Sequence, residues 1–224
     1  MIPLRDENPT ETFPFVTLTL IASNVLIFIY ELTLGSGLED KIAQFAATPY
    51  YITHMNNPAV LLTLITSLFF HASIAHIFGN MLYLWVFGNN IEDRLGHIRF
   101  VFFYLICGIV ASFGHIIANP SSKLPLIGAS GAISGVLGAY LLLYPRAKIL
   151  VLIPLFYIWR IAKVQAFWFL VFWIILQFFY GATTFALMDT SNTGGVAWFA
   201  HIFGFFAGML FLKLFLKTKK YRYD

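Results

Sequence analysis

Charged side chains are scarce in this sequence. Only 11% of its 224 residues are Asp, Glu, Lys or Arg and 59% are hydrophobic, whereas soluble domains average about 25% charged and about 45–50% apolar residues. Because charged residues form the solvated surface of a soluble fold, most of this surface must face something other than water. A soluble enzyme, a disordered chain and a disulfide-stapled secreted domain are therefore excluded, and a polytopic membrane protein built as one domain remains.

Cysteine pairs and a basic leader are also missing. The single cysteine, Cys107, lies in an apolar run, so no intramolecular disulfide can form. The first thirteen residues carry three acidic side chains against Arg5 alone, whereas a cleavable signal peptide needs a basic start and a small-residue cleavage site. We therefore expect the N-terminus to stay on the protein as a short tail, residues 1–13.

Six apolar segments predict the membrane spans. A bilayer core needs about 20 apolar residues per helix, and the uninterrupted runs near this length are 15–34, 100–118, 161–180 and 196–216. Two shorter runs, 74–87 and 130–144, could each be a span or a re-entrant segment. We interpret both as spans, because omitting either one scatters the basic residues over both sides of the membrane. The expected fold class is all-α, a bundle of six transmembrane helices. In chain order, the six runs are called spans 1 to 6, so that span 2 is 74–87, span 4 is 130–144 and span 6 is 196–216.

The basic residues orient this bundle. With six spans, one side receives Arg5, Arg94, Arg99, Arg146, Lys148, Arg160, Lys163, Lys213, Lys217, Lys219, Lys220 and Arg222, and the other side keeps only Lys41 and Lys123. The positive-inside rule then places both termini in the cytoplasm. We expect a helical domain over residues 14–216 between the tail 1–13 and a basic tail, 217–224. Basic residues at helix ends anchor to lipid headgroups, so the bilayer is the expected partner and nucleic acid is not.

Polar side chains at membrane depth are functional candidates, because lipid tolerates few of them. Span 2 holds His76 and Asn80, span 4 holds Ser130, and span 6 holds His201. No Asp or Glu lies in the middle of a span, which disfavours an ion pathway and a membrane aspartyl protease. No HExxH motif occurs, and Lys148 lies at the far end of span 4 from Ser130. A serine paired with a histidine is the chemistry that survives, with no metal and no cofactor.

Topology and small residues bring these side chains together. Spans 2, 4 and 6 run in the same direction, so their N-terminal ends share the outer side, and the four polar residues lie at similar depths. Spans 4 and 6 each carry a GxxxG pattern, which permits close backbone approach; the glycines are Gly131, Gly135, Gly204 and Gly208. The alternatives are structural: a lone helix histidine is more often structural, Asn80 can bridge helices, and serine is a favoured N-cap.

At these residues the sequence resembles the rhomboid family of intramembrane serine proteases. The matching segments are HASIAHIFGN at 71–80, EDRLG at 92–96, GASG at 128–131 and AHIFGFFAG at 200–208. Their motif residues include His71, Glu92, Arg94 and Gly128. The resemblance covers residues 15–216, in the expected order and on the expected spans.

The resemblance implies a Ser–His dyad that hydrolyses peptide bonds inside the membrane. Ser130 would be the nucleophile, His201 the general base, and His76 with Asn80 the oxyanion donors, whereas His71 would be structural. The sequence departs from the family in two places. Leu62-Thr63 stands where a Trp-Arg pair is common in the first external loop, and Ser134 stands where some members stack a tyrosine on the histidine.

Transmembrane proteins are the expected substrates. Span 5 lacks glycine between residues 161 and 180 and is rich in aromatic residues. We therefore expect it to pack loosely and to admit substrate helices beside span 2. The expected location is a bacterial cytoplasmic membrane, while substrate identity, cleavage preference and oligomeric state stay open. A non-catalytic rhomboid-like adaptor that binds transmembrane helices is the alternative function, and a small transporter is disfavoured by the missing carboxylates.

Overall fold

The structure is a computed structural model that describes residues 1–155, 158–186 and 197–216. It is mostly helical. The basic tail 217–224 lies outside the described residues, as does the segment just before the last helix.

Nine α-helices and three strands follow one another in the described residues. The helices are α1 (Phe15–Thr33), α2 (Leu38–Phe45), α3 (Pro49–His54), α4 (Thr63–Thr66), α5 (Ile74–Leu95), α6 (His97–Ala118), α7 (Ser130–Leu143), α8 (Ala166–Ala186) and α9 (Trp198–Phe215). The strands are β1 (Ile2–Asp6), β2 (Lys148–Leu155) and β3 (Ile158–Gln165). Three 3-10 turns, Gly35–Gly37, Pro58–Leu62 and Ser67–Phe69, lie among the short helices between α1 and α5.

Four of the described helices, α1, α6, α8 and α9, are long and apolar enough to cross a membrane. Pro58–Phe69 and Ile74–Leu95 make a fifth candidate, a pair bent by 83° at its break. The remaining expected span, span 4, corresponds to α7 and has only 14 residues, which is about 21 Å of helix against a hydrocarbon core of about 30 Å. The chain is thus a multi-pass membrane protein, and the count of six spans stays a prediction.

The exposed surface of the bundle is apolar, as a lipid environment requires. Ile117, Leu210 and Leu214 are 73%, 72% and 76% exposed at the ends and along the flanks of α6 and α9. Monomeric soluble proteins rarely expose large contiguous apolar patches. The polar side chains are instead gathered inside the bundle, where Asn24, Asn80, Gln177 and His201 are buried.

The all-α expectation is wrong in one region, because the chain also forms a three-stranded antiparallel sheet in the order β1-β2-β3. β1 lies within the expected N-terminal tail and pairs with β2, with Ile2 opposite Leu152. β3 includes residues 161–165, which the sequence predicts as the start of span 5. The helix of this span, α8, therefore begins at residue 166 instead of 161. The Tyr140 hydroxyl of α7 donates to Asp6 Oδ2 at 2.6 Å. This bond ties the sheet to the bundle.

Helix α7 lies at the centre of the bundle, between α6 and α9. A methyl group added to Gly204 would collide with the carbonyl oxygen of Gly131, and one added to Gly208 would collide with that of Gly135. On the α6 side, the same addition at Gly131 would lie 2.7 Å from the Ala111 methyl carbon. The glycines expected on the paired faces therefore stand where the helix backbones touch. This contact fixes the start of α7 beside the first turn of α9.

Candidate active site

Ser130 is the first residue of α7 and faces a cavity. The loop before it turns sharply at Gly128, whose φ of +116° is a backbone conformation that side chains other than glycine rarely adopt. The Gly128 N–H donates to the Ser67 carbonyl at 2.8 Å, which ties this loop to the segment preceding α5. Ser130 is only partly buried, so its hydroxyl is accessible from the cavity.

His201 lies in the first turn of α9 and contacts Ser130. Its Nε2 is 2.8 Å from Ser130 Oγ, and its ring is buried. The close approach of α7 and α9 at their glycines makes this distance possible, because neither helix carries a side chain between the two backbones there. The structure thus joins the two residues that sequence reasoning paired across 71 positions.

The other nitrogen of His201 meets Gln177 of α8. His201 Nδ1 is 2.8 Å from Gln177 Oε1, and Gln177 Nε2 donates to the Trp173 carbonyl at 3.1 Å. Because the Gln177 oxygen can only accept, Nδ1 carries the imidazole proton in this arrangement. Nε2 is then free to accept the proton of the Ser130 hydroxyl.

Two tryptophans flank the His201 ring. The Trp173 ring centroid is 5.9 Å away and tilted, and that of Trp198 is 6.1 Å away at nearly a right angle. At the position where some rhomboids place a tyrosine, Ser134 donates to the Ser130 carbonyl at 2.6 Å instead. The histidine ring is therefore flanked by aromatic residues of α8 and α9, and its contact with α7 is the one to Ser130.

The second face of the cavity belongs to the start of α5, where Ser73 caps the helix by accepting from the His76 N–H at 3.2 Å. A methyl group added to Gly128 would lie 2.6 Å from His76 Nε2 and 3.5 Å from Asn80 Nδ2. Both nitrogens therefore lie close to the backbone of Gly128, two residues before Ser130. The Ala72 N–H approaches His76 Nδ1 at 3.4 Å, which favours a proton on Nε2. Two N–H donors can thus serve an oxygen placed there.

His71 lies behind Asn80, away from Ser130. Its Nε2 accepts from Asn80 Nδ2 at 2.9 Å, and its Nδ1 is 3.2 Å from the Phe69 carbonyl. The amide nitrogen of Asn80 has two hydrogens, so one remains for the cavity. The segment that carries His71 is held in turn by the buried carboxylate of Glu31, which accepts from the His71 backbone N–H at 3.2 Å.

The cavity itself has a volume of about 870 Å³. Its lining includes Ser130, His201, His76, Asn80, Tyr83 and Trp173, so α5, α7, α8 and α9 all contribute. This volume lies within the range of about 300–1,000 Å³ that is typical of small-molecule sites. The four residues predicted from sequence thus share one concave site.

Glu92 and Arg94 lie at the other end of α5, about 24 Å along the helix from His76. The buried Glu92 carboxylate accepts from the backbone N–H groups of Val16 and Thr17 at 2.8 and 2.7 Å. It also contacts His97 Nδ1 at 2.6 Å. Glu92 therefore fixes the first turn of α1 to the α5–α6 corner, and Arg94 is exposed in the last turn of α5. The structure keeps this motif apart from the cavity.

Sequence reasoning missed Gln177, Trp198 and the role of Glu31. Gln177 is the one amide between residues 166 and 180, in a segment otherwise dominated by aromatic and aliphatic side chains. Such an isolated polar residue at membrane depth is itself a signal. It could have been found by applying to span 5 the test that singled out His76 and Asn80.

The protein is thus a multi-pass membrane protein of the helical class, with a serine–histidine pair at the start of its central helix. The family model named Rhomboid domain matches residues 58–218. Because this match covers well over half of the chain, the chain belongs to the rhomboid family.

Three relatives illustrate the similarity. The rhomboid protease GluP of Bacillus subtilis is 34% identical over 137 residues, which cover 61% of this chain and 25% of that protein. Rhomboid protein 1, mitochondrial, of Saccharomyces cerevisiae is 36% identical over 96 residues, 41% of this chain and 28% of that protein. The human presenilin-associated rhomboid-like protein, mitochondrial, is 29% identical over 140 residues, 61% of this chain and 35% of that protein. The chain thus matches a quarter to about a third of the length of these curated relatives.

Proposed function

We propose that this protein is an intramembrane serine endopeptidase that cleaves membrane-protein substrates in or next to their transmembrane segments. The observation that carries the proposal is the 2.8 Å contact between His201 Nε2 and Ser130 Oγ at the edge of the cavity. Membership of the rhomboid family supports it, as does the similarity to a relative named as a protease.

The reaction begins when the Ser130 oxygen attacks the carbonyl carbon of the scissile peptide bond. His201 Nε2 takes the hydroxyl proton, because serine is a poor nucleophile until a base removes it. The carbonyl π electrons move to oxygen and give a tetrahedral oxyanion. His201 then donates the proton to the leaving amine, and the carbon–nitrogen bond breaks to leave an acyl-enzyme. His201 then takes a proton from a water molecule as the water oxygen bonds to the acyl carbon, and it returns this proton to Ser130 Oγ when the ester bond breaks.

His76 and Asn80 stabilise the oxyanion in this proposal. The closeness of both nitrogens to Gly128, two residues before Ser130, supports the assignment, since an oxyanion needs donors aimed at the position where negative charge develops. The N-terminus of α7 adds partial positive charge at the same place. Removing one such donor typically lowers the rate by about 10²–10³.

Substrate helices enter beside α8. This helix exposes large aromatic side chains, with Trp168 63% and Phe179 59% exposed. Its contact with α5 is made by rings, as the Tyr83 and Phe169 centroids lie 6.4 Å apart. Ring contacts separate at lower cost than the backbone-to-backbone contact of α7 with α9, so α8 is the wall that moves.

The proposed orientation puts both termini in the cytoplasm, with the cavity open to the outside. The strands of the sheet carry the basic residues Arg5, Lys148 and Lys163. Their position on one side of the bundle supports this orientation by the positive-inside rule. The proposed location is a bacterial cytoplasmic membrane. Among the relatives, one comes from Bacillus subtilis and others are named as mitochondrial proteins.

Cleavage in proteoliposomes tests the proposal. The purified protein is reconstituted with a panel of single-span fusion proteins that differ in their transmembrane segments, and products are sized by mass spectrometry. We expect cleavage within or beside at least one transmembrane segment, and loss of that product with Ser130→Ala and with His201→Ala. Ser112→Ala replaces a buried serine of α6 outside the cavity lining and is the matched control, with an expected wild-type rate. Co-purification of uncleaved substrates with equal recovery by wild type and Ser130→Ala would indicate the adaptor instead.

A further inference from the structure

We propose that Gln177 is a positioning residue that selects the working tautomer of His201. The inference rests on the proposed serine endopeptidase function, which it deepens by adding a third side chain to the dyad. It stands on an unbroken chain of three contacts: Trp173 carbonyl to Gln177 Nε2 at 3.1 Å, Gln177 Oε1 to His201 Nδ1 at 2.8 Å, and His201 Nε2 to Ser130 Oγ at 2.8 Å.

The Trp173 carbonyl fixes which end of the Gln177 amide faces the histidine. A carbonyl oxygen only accepts, so it must meet the amide NH2 group, and the amide oxygen is left to face His201 Nδ1. Gln177 is 5% exposed and His201 is 8% exposed. Water therefore does not replace either partner readily. Rotating the amide by 180° would also break its bond to the Trp173 carbonyl, so the amide keeps this orientation.

The orientation of the amide then decides the chemistry of the imidazole. A neutral histidine carries its proton on one of two nitrogens, and the hydrogen bond at one nitrogen determines the state of the other. With Gln177 Oε1 as acceptor, the proton lies on Nδ1 and Nε2 can act as the base for Ser130. Without this acceptor, the proton can move to Nε2, where it blocks the transfer from the serine. Gln177 thus orients the His201 ring and fixes its tautomer, as a carboxylate can, but it adds no charge.

Gln177 belongs to α8, whereas His201 belongs to α9. The bond therefore crosses from the helix proposed to admit substrates to the helix that carries the base. Displacement of α8 from α9 would break the Gln177–His201 contact, and the proton of His201 would no longer be held on Nδ1.

The test compares two substitutions that separate positioning from packing. Gln177→Leu keeps roughly the volume of the side chain but removes the acceptor. Gln177→Glu, when protonated, can accept from His201 Nδ1 and donate to the Trp173 carbonyl, as the amide does. The readout is the rate at which a fluorophosphonate probe labels Ser130 in liposomes, with the midpoint of thermal unfolding measured alongside.

We expect Gln177→Leu to slow labelling by about 10- to 100-fold, the range for losing one buried hydrogen bond, while the unfolding midpoint stays above the temperature of the labelling assay. We expect Gln177→Glu to recover most of the rate. Gln165→Leu makes the same exchange at an exposed position of β3 and should label like wild type. Gln177→Met is an apolar variant of similar length and stands in if Gln177→Leu does not fold.

Two results overturn the inference. One is wild-type labelling by the apolar variant. The other is equal slowing of Gln177→Leu and Gln177→Glu, because a loss that a restored acceptor does not repair indicates a packing role. Failure of the proposed function looks different, since wild type itself would then remain unlabelled.

Discussion

At the scale of single residues, Gly128 is central to the proposed oxyanion site in two ways. Its φ of +116° turns the chain into α7, and its missing side chain leaves open the space close to His76 and Asn80. Any larger residue would occupy that space and strain the turn. The site therefore depends on an absent atom as much as on the side chains present.

We predict that Gly128→Ala abolishes most turnover while the Ser130–His201 pair remains in place. The added methyl carbon would lie 2.6 Å from His76 Nε2, so the rate should fall by about 10²–10³, as on losing an oxyanion donor. The measurement is kcat on a cleaved transmembrane substrate. Gly37→Ala is the control, because nothing lies within 4 Å of a methyl group there. Wild-type turnover by Gly128→Ala would contradict the placement of the oxyanion.

At the scale of elements, the proposal divides the helices into a fixed group and α8, the wall proposed to move. α7 is held by backbone contact with α9, and α1 is fixed to the α5–α6 corner by Glu92. α8 continues directly from β3, which ends one residue before it begins. Its contacts with α5 are made by aromatic rings. The element proposed to move is thus the one that carries Gln177.

We predict that a link between α5 and α8 slows cleavage of transmembrane substrates about tenfold or more, because it blocks the lateral opening. Tyr83→Cys and Phe169→Cys, whose native rings lie 6.4 Å apart, are joined by a cleavable bismaleimide in a Cys107→Ala background. Labelling by the small fluorophosphonate should be unaffected, and cleaving the linker should restore proteolysis. The single-cysteine variants are the controls. Equal proteolysis by linked and unlinked protein would rule out entry between these helices.

At the scale of the whole molecule, the pairing of Ser130 with His201 was predictable from sequence. Apolar runs place both residues at membrane depth, and glycines at helical spacing put them on close-packed faces. The sheet was not predictable, because Ile149 and Val151 face the core while Leu150 and Leu152 lie half-buried on the other side. Both faces are apolar, so the alternation that reveals a strand is missing. Gln177 could be singled out as the isolated amide of span 5, but its contact with His201 could not be predicted, since the sequence does not tell which side of α8 meets α9.

The most direct test of the central claim is to locate the covalent adduct that a fluorophosphonate leaves on the reconstituted protein. Peptide mass spectrometry after digestion identifies the modified residue without any knowledge of the natural substrate. The account predicts one adduct, on Ser130, that disappears with His201→Ala because no other base lies within reach of Oγ among the described residues. An adduct on a different serine, or an undiminished adduct on Ser130 in His201→Ala, would contradict the Ser–His dyad.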